Sequence, residues 1–230
     1  MRRMIRLFYR GSDGAIGEGS ARGFGEPFDK VKRMRHVVCM ALLTVAWLRG
    51  GVSNEKVVVV ETSLAPGAVQ SNPGGKPGLL VFVQPGMLEI NGRVVRATPG
   101  EVWFETAEAR TVKNAGTSAV RFIQIDFQSA GSAEMWGDTG LSPNYKVLLD
   151  NQYARVYDIR IPAGTREPQH THKNRVVVCL SGAELRHLMP DGHEEPSTLK
   201  TGEIAWRLGG THIGQNVGKT DLWAIAVEPK

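Results

Sequence analysis

An internal repeat constrains the fold of this chain more than any other feature. When the 230-residue sequence is shifted on itself by 102 residues, Gly100-Glu101-Val102 falls on Gly202-Glu203-Ile204, and NAGTS (114–118) falls on NVGKT (216–220). Upstream, LVFVQPG (80–86) matches VVCLSG (177–182) at a shift of 96, so the hairpin between the matched segments is six residues longer in the second copy. Matches in the same order, with the length difference confined to a turn, predict two tandem copies of one small domain.

Both copies consist of short strand-like segments separated by turns. Asn91-Gly92 stands between two β-prone runs and predicts a tight hairpin, and no segment has the period of an amphipathic helix. We therefore predict an all-β fold, with the first copy over 54–127, a linker over 128–145 that is rich in Gly, Ser and turn residues, and the second copy over 146–230. The predicted strand segments are 56–62, 78–84, 87–97 and 101–105 in the first copy and 154–162, 175–182, 184–195, 203–207 and 221–228 in the second.

Residues 1–53 form a basic leader with the pattern of a secretory signal peptide. Lys and Arg residues at 30–35 precede an uncharged apolar run, VVCMALLTVAWL (37–48), and small residues follow at 51–53. This order predicts export to the periplasm or the outside of the cell. One hypothesis is that translation begins at Met34, and a start at Met1 is the alternative. A disordered arm on a cytoplasmic protein is the alternative to export, and N-terminal sequencing of the mature protein separates the two.

The distribution of charge argues against a nucleic-acid partner. Residues 1–49 hold ten Lys and Arg against four Asp and Glu, whereas the rest of the chain holds 18 basic and 19 acidic side chains. The net charge of +5 therefore belongs to the leader, and no basic stripe remains for a phosphate backbone.

No apolar run approaches the roughly 20 residues of a membrane-spanning helix. Cys39 lies in the apolar run and Cys179 is alone in the remainder, so no disulfide is predicted.

The second copy contains a histidine pattern suited to a metal ion. His170 and His172 stand at i and i+2, which places both imidazoles on one face of a strand. His212 follows 40 residues after His172. If the two strands meet, three neutral imidazoles converge on a divalent cation and leave positions open for water or substrate. The alternative is a pair of polar residues on an edge strand with an unrelated third histidine. His187 and His193 flank the 190–192 turn and are predicted to be surface residues.

These segments resemble the two sequence motifs of the cupin superfamily. PAGTREPQHTHKNRVVVCLSG (162–182) is similar to the first motif, in which a Gly is followed by H-x-H, a Glu and a closing Gly. TGEIAWRLGGTHIGQN (201–216) is similar to the second, in which a Gly leads to a His and then, four residues later, to an Asn. The resemblance extends over residues 55–230, and it implies two tandem cupin barrels of the jelly-roll kind, a bicupin.

The chain departs from the family pattern at the position of the metal-binding Glu. Arg175, or Val176 with a different gap, stands there instead, so the resemblance implies a three-histidine site with the full charge of a divalent ion. Such a centre favours anionic chelating ligands. Arg175 could pair with a second carboxylate of the substrate, or it could lie on the outer face of the barrel. Other candidates for substrate binding or for support of the ligands are Gln169, Glu167 and Asn216.

The first copy lacks the metal-binding pattern. Arg110 aligns with His212, and the stretch 73–76 (PGGK) faces the position of His170-Thr171-His172 without offering a ligand. Arg110 could bind an organic anion, although an ion pair with Glu101, Glu105 or Glu108 is the favoured role. The first barrel is therefore expected to act as a scaffold or partner surface.

Two classes of function follow from these features. The first is a metal-dependent oxygenase or isomerase that acts on a small anionic molecule. The second is a non-catalytic, extracytoplasmic protein that binds a metal or small ligand. The expected cofactor is a divalent ion that three histidines alone do not distinguish among Fe, Zn, Mn, Ni and Cu. The expected partner is a small-molecule ligand, and a homodimer is left open.

Overall fold

The computed structural model describes residues 51–129 and 141–230. The predicted leader and most of the predicted linker lie outside these ranges. Within them the secondary structure is entirely β, and no helix there is of the length and apolarity that crossing a membrane requires.

Seventeen strands form four antiparallel sheets, two in each half of the described chain. The strands of the first half are β1 (Val57–Leu64), β2 (Val69–Asn72), β3 (Gly78–Phe82), β4 (Gly86–Ile90), β5 (Arg93–Ala97), β6 (Val102–Glu105), β7 (Arg110–Asn114) and β8 (Val120–Phe127). Those of the second half are β9 (Tyr145–Asp150), β10 (Ala154–Ile161), β11 (His170–His172), β12 (Arg175–Ser181), β13 (Ala183–Leu188), β14 (Glu194–Leu199), β15 (Ile204–Arg207), β16 (Gly210–Asn216) and β17 (Leu222–Pro229).

The predicted duplication is confirmed by the order of strands in the sheets. The first half has the orders β1-β8-β3-β6 and β2-β7-β4-β5. The second half repeats them as β10-β17-β12-β15 and β11-β16-β13-β14, and adds β9 beside β10. Each half is thus a two-sheet barrel, and the predicted hairpin at Asn91-Gly92 joins β4 to β5 with both residues at positive φ (47° and 80°).

Apolar side chains fill both barrels and also the space between them. The period of two along each strand sends alternate side chains to opposite faces. On β8, Phe122 points into the first barrel whereas Ile123 and Ile125 point toward the second. On β12, Val177 and Cys179 point into the second barrel whereas Val176 and Val178 join the shared core.

Aromatic stacking adds to the contact between the barrels. Tyr153, which precedes β10, stacks on Phe104 and Phe127 of the first barrel with ring centroids 5.7 and 5.8 Å away. One sheet of each barrel is therefore buried on both faces, so each barrel covers an apolar face of the other.

Candidate metal centre

The three predicted histidines are brought together by the pairing of β11 with β16. These strands are antiparallel, and His170 lies directly opposite His212. His172 shares the inward face of β11 with His170, because the two are separated by one residue, Thr171. Side chains of His170 and His172 are buried, and that of His212 is partly buried.

The nitrogen atoms of this cluster have the spacing of a coordination site. One ring nitrogen from each histidine lies within 4.8 Å of the others. Nε2 of His170 and Nε2 of His172 are 3.0 Å apart. Two donors that each bind a metal at about 2.1 Å, at right angles, would also be about 3.0 Å apart. His170 Nδ1 donates to the backbone carbonyl of Pro168 at 2.8 Å, which leaves Nε2 as the free, cluster-facing nitrogen.

Burial keeps the imidazoles of His172 and His212 in the form that binds a metal. It lowers the pKa of His172 well below its ordinary value and lowers the pKa of His212 to about 3. The neighbouring cationic and imidazole groups, Arg175 among them, lower both further. A neutral ring has a free nitrogen lone pair, whereas a protonated one cannot coordinate a cation. The chemistry of the donor set therefore fits a divalent transition metal.

Tyr145 adds a phenol to the cluster. Its hydroxyl lies 3.3 Å from His172 Nε2, and its ring packs against His170 and His172. Burial raises the pKa of Tyr145, so the group remains a protonated hydrogen-bond donor. Tyr145 begins β9 and falls at the end of the segment predicted as linker, where no pattern in the sequence relates it to the histidines.

A cavity of about 370 Å³ opens beside the histidines. Apolar side chains of the second barrel line one part of it, and Arg175 and Arg207 line another, with the guanidinium of Arg207 bound to Glu203 at 2.9 Å. In the antiparallel pairing of β12 with β15, Arg175 lies opposite Arg207. Arg175 shares the inward face of β12 with Val177. The sequence left the direction of Arg175 open, and the structure places it on the cavity side.

Two buried carboxylates flank the histidines on different sides. Glu167 Oε2 lies 4.0 Å from His170 Nε2, and Glu228 Oε1 lies 3.9 Å from His172 Nδ1. Glu228 accepts hydrogen bonds from the backbone of Lys173 and from the hydroxyl of Tyr157. Glu167 was a candidate from the sequence, whereas Glu228 was missed because it comes from β17, the last strand of the chain.

Two other candidate residues do not belong to the site. Gln169 is exposed and lies outside the cavity lining, because it alternates with the inward-facing His170 at the start of β11. Asn216 is fully buried, but its Nδ2 donates to the carbonyls of Ile161 and Thr220, and its Oδ1 accepts from Gly218 N. These bonds fix a turn at the end of β16, so the motif Asn is structural here.

Two predictions about histidine side chains have different outcomes. The prediction of a surface position for His187 is wrong, since it lines the cavity with its ring 4.5 Å from that of His212. Its place on β13, two residues after the inward-facing Leu185, turns it inward. His193 is exposed as predicted and contacts Asp191 and Glu195. Cys179 is buried in the apolar core, where burial raises its pKa to about 11.

The first barrel carries an ion pair where the second carries histidine. Arg110 binds Glu105 at 2.5 Å, with side-chain exposures of 7% and 11%, in agreement with the favoured prediction. Asn72 pairs with Arg110 as His170 pairs with His212, so Asn72 and not the 73–76 stretch matches the first ligand. By the same register, Gly74 matches His172, and neither position offers an imidazole.

Comparison with solved structures identifies the fold. AerE from Microcystis aeruginosa superposes with a TM-score of 0.58 at 13% identity, covering 78% of this chain and 90% of that one. The Cupin 2 conserved barrel domain protein from Leptotrichia buccalis gives 0.55 at 15% identity, covering 81% and 88%. Salicylate 1,2-dioxygenase from Pseudaminobacter salicylatoxidans gives 0.55 at 13% identity, covering 79% and 76%. No protein-family model matches the chain, and no curated protein matches its sequence.

The fold and the site together define a class of protein. The chain has the all-β, two-domain cupin fold of a bicupin, as the sequence resemblance implied. Its second barrel holds a buried cluster of three histidines, and the equivalent place in the first barrel holds an ion pair.

Proposed function

We propose that this protein is a metal-dependent bicupin enzyme whose second barrel binds a divalent ion through His170, His172 and His212. The observation that carries the proposal is the convergence of three imidazole nitrogens within 4.8 Å at the wall of a cavity. Arg175 and Arg207 line that same cavity, and Arg175 makes no ion pair with a described carboxylate, whereas Arg207 is bound to Glu203. A cavity with histidines at one wall and two arginines at another suits a small anionic substrate.

The side chains around the cavity have distinct roles in this proposal. Arg175 and Arg207 bind a carboxylate of the substrate and orient it. Tyr145 keeps its proton and donates a hydrogen bond to a substrate oxygen beside the histidines. Apolar residues such as Ile159, Val177 and Leu222 accept the hydrocarbon part of the molecule and exclude water from it. A bound divalent ion would supply Lewis acidity or a site for O2 chemistry.

The likeness to known enzymes supports the reaction class only at the level of the fold. Salicylate 1,2-dioxygenase, which is similar in fold, acts on an aromatic hydroxy acid according to its name. One fold serves many chemistries, so the substrate is argued from the cavity itself. Hydroxy or keto carboxylates of low molecular weight have both the chelating oxygens and the negative charge that this cavity accommodates.

Metal analysis of the purified protein tests the proposal first. We expect about one divalent ion per chain in the wild type, and loss of that ion in His170→Ala, His172→Ala and His212→Ala. The matched control is His193→Ala, which removes an exposed histidine outside the cluster and is expected to retain the metal. A metal-free wild type, with no effect of His170→Ala on stability in added metal, would overturn the proposed site.

Turnover is measured next with the metal-loaded protein. O2 consumption and product formation are followed with hydroxybenzoates, 2-keto acids, catechols, diketones and thiols. Arg175→Gln is expected to raise KM for carboxylate substrates more than it lowers kcat, because it removes ground-state binding of the anion. Stoichiometric metal without turnover of any class would instead identify a non-catalytic binding protein.

A further inference from the structure

The first barrel has a cavity of its own at the place that corresponds to the metal cavity of the second. Its volume is about 210 Å³. Arg110 lines it and takes the place of His212 in the strand register. Glu105 also lines it and takes the place of Arg207. Both barrels therefore have a cavity at the same end, with different chemistry in each.

The inner part of this cavity is buried, and its rim is exposed. Trp103 and Arg110 are buried, and the side chain of Glu105 is 11% exposed. The rim is formed by exposed residues around the β4–β5 turn and in the loop between β6 and β7, namely Asn91, Arg93, Thr106, Glu108 and Ala109. A small molecule can therefore enter from solvent and reach buried polar groups.

The two polar groups of the inner part do not fully satisfy each other. Arg110 Nη2 and Glu105 Oε2 lie 2.5 Å apart, yet neither atom has a hydrogen-bond partner of normal geometry in the described chain. A guanidinium has five N–H donors, whereas this contact involves one oxygen. Burial raises the pKa of Glu105 to about 7, so the cation beside it offsets only part of the cost of burying the carboxylate. A further acceptor at Arg110 and a further donor at Glu105 would therefore stabilise both groups.

The charges around the cavity define the class of ligand. Two arginines and two glutamates line it, namely Arg93, Arg110, Glu105 and Glu108. An ion of either sign would meet like charges there, whereas a zwitterion places its carboxylate on a guanidinium and its ammonium group on a carboxylate. The volume is below the range of about 300–1,000 Å³ of cavities for drug-sized ligands, so the molecule must be small.

We propose that the first barrel binds a small zwitterion of the amino-acid type, with the carboxylate of the ligand on Arg110 and its ammonium group on Glu105. Ile90 and Trp103 provide an apolar wall for a short aliphatic part. The site is separate from the histidine cluster of the second barrel, and binding requires no metal. This inference is therefore independent of the proposed function.

Titration of the full chain with glycine, L-alanine and L-threonine tests the site. Calorimetry gives the Kd, and the NMR signal of the Trp103 indole N–H reports the location. We expect at least one of these amino acids to bind with a Kd about 10-fold or more below those of acetate and methylammonium, because each of these two ions lacks one of the charged groups. The indole signal of Trp103 should shift, whereas those of Trp206 and Trp223 in the second barrel should not.

Matched variants separate binding in this cavity from binding elsewhere. Ala109→Phe places a large side chain at the rim and should abolish binding, whereas Ala107→Phe, in the same exposed loop but outside the lining, should leave the Kd unchanged. The double variant Glu105→Leu with Arg110→Met leaves neither charge of the pair buried and should also fail to bind. Near-UV circular dichroism checks that each variant is folded.

Two results would overturn the proposal. Equal affinity for acetate and for the amino acids would contradict a zwitterion as the ligand. Wild-type affinity in the folded Ala109→Phe protein, or no binding of any of the three amino acids, would show that this cavity is not a site for them.

Discussion

At the scale of single residues, the two buried asparagines at the ends of β7 and β16 explain why the duplication is visible in the sequence. Asn114 donates from Nδ2 to the carbonyls of Leu64 and Ser118, and its Oδ1 accepts from Gly116 N. Asn216 makes the equivalent three bonds in the second barrel. An aspartate or a hydrophobic residue cannot both donate twice and accept once, so each copy retains the amide.

Replacement of either asparagine is expected to destabilise the fold without affecting the metal site. Asn216→Ala leaves two buried carbonyls and one amide without their partner, at a cost of roughly 3 kcal/mol in the free energy of unfolding. Asn114→Ala is the matched variant and should cost a similar amount. Urea unfolding gives both values, and Co(II) affinity of the folded Asn216→Ala protein should equal that of the wild type. A loss of affinity without a loss of stability would instead place Asn216 in the site.

The buried ion pair of the first barrel is also open to a test at single residues. Burial raises the pKa of Glu105 to about 7, even though Arg110 opposes the shift. Glu105→Gln leaves the guanidinium of Arg110 buried without a counter-charge, and we expect a loss of roughly 3–5 kcal/mol in the free energy of unfolding. The double variant Glu105→Leu with Arg110→Met should lose less than Glu105→Gln, because no charge remains buried. Denaturant unfolding of the three variants provides the comparison, and a double variant that is less stable than Glu105→Gln would contradict it.

At the scale of secondary-structure elements, the pairing of β11 with β16 determines how the metal-free protein responds to pH. Burial lowers the pKa values of His172 and His212, the latter to about 3, whereas both start from 6.5 in the unfolded chain. Between pH 6.5 and about 3, the unfolded chain binds protons that the folded protein does not. Above 6.5 both states are neutral, so these residues then contribute no pH dependence.

His172 and His212 therefore contribute a fall in the Tm of chelator-treated protein as the pH is lowered from 6.5, whereas Glu105, with its pKa raised to about 7, contributes in the opposite direction as the pH falls from 7 toward 4.5. His212→Gln is the informative variant, since it removes one buried imidazole and should lose less Tm than the wild type over the same acid range. His193→Gln is the control, because its exposed ring is outside the strand pair. Equal pH profiles for the wild type and His212→Gln would show that the buried imidazole is not held neutral by the fold.

Many of the strands and the three histidines could be predicted because their signals are local or periodic, whereas β2, β7, β8 and β9 lie outside the predicted segments. Alternating apolar residues mark the strands, and the i, i+2 spacing of His170 and His172 places them on one face whatever the rest of the chain does. Asn91-Gly92 similarly defines its own turn. That the strand of His212 meets the strand of His170 was only a condition of the prediction, and the structure supplies the pairing.

Groups that reach the site from irregular or distant segments could not be predicted. Glu167 lies before β11, outside any periodic pattern, and its direction depends on Ser142 and on the space left by Gly214. Tyr145 and Glu228 belong to strands that are neighbours of the site only in three dimensions. The inward direction of Arg175 could not be predicted, because the position of one gap in the motif left open whether Arg175 or Val176 takes the place of the motif Glu. The register of β12 with β15 in the structure settles it.

At the scale of the whole molecule, the two barrels are one folding unit because they share a core. The sheet of the first barrel that contains β1 and β8 packs on the sheet of the second that contains β10 and β17. The metal-free barrel therefore has a physical role, which is to cover an apolar face of the barrel that carries the site. Covering that face needs no metal ligands, so the ion pair of Arg110 with Glu105 is compatible with this role.

A fragment consisting of residues 141–230 alone is expected to be insoluble. Without the first barrel, buried side chains such as Val156, Val176 and Val227 become an exposed apolar face, which favours aggregation. Val→Thr at these three positions should increase the soluble yield of the fragment. In the full chain, the same changes should lower the free energy of unfolding by roughly 1–3 kcal/mol each, because they bury hydroxyl groups in the shared core. Soluble yield, light scattering and urea unfolding measure these opposite effects. An unmodified fragment that is monomeric and binds Co(II) as the full chain does would show that the second barrel folds by itself.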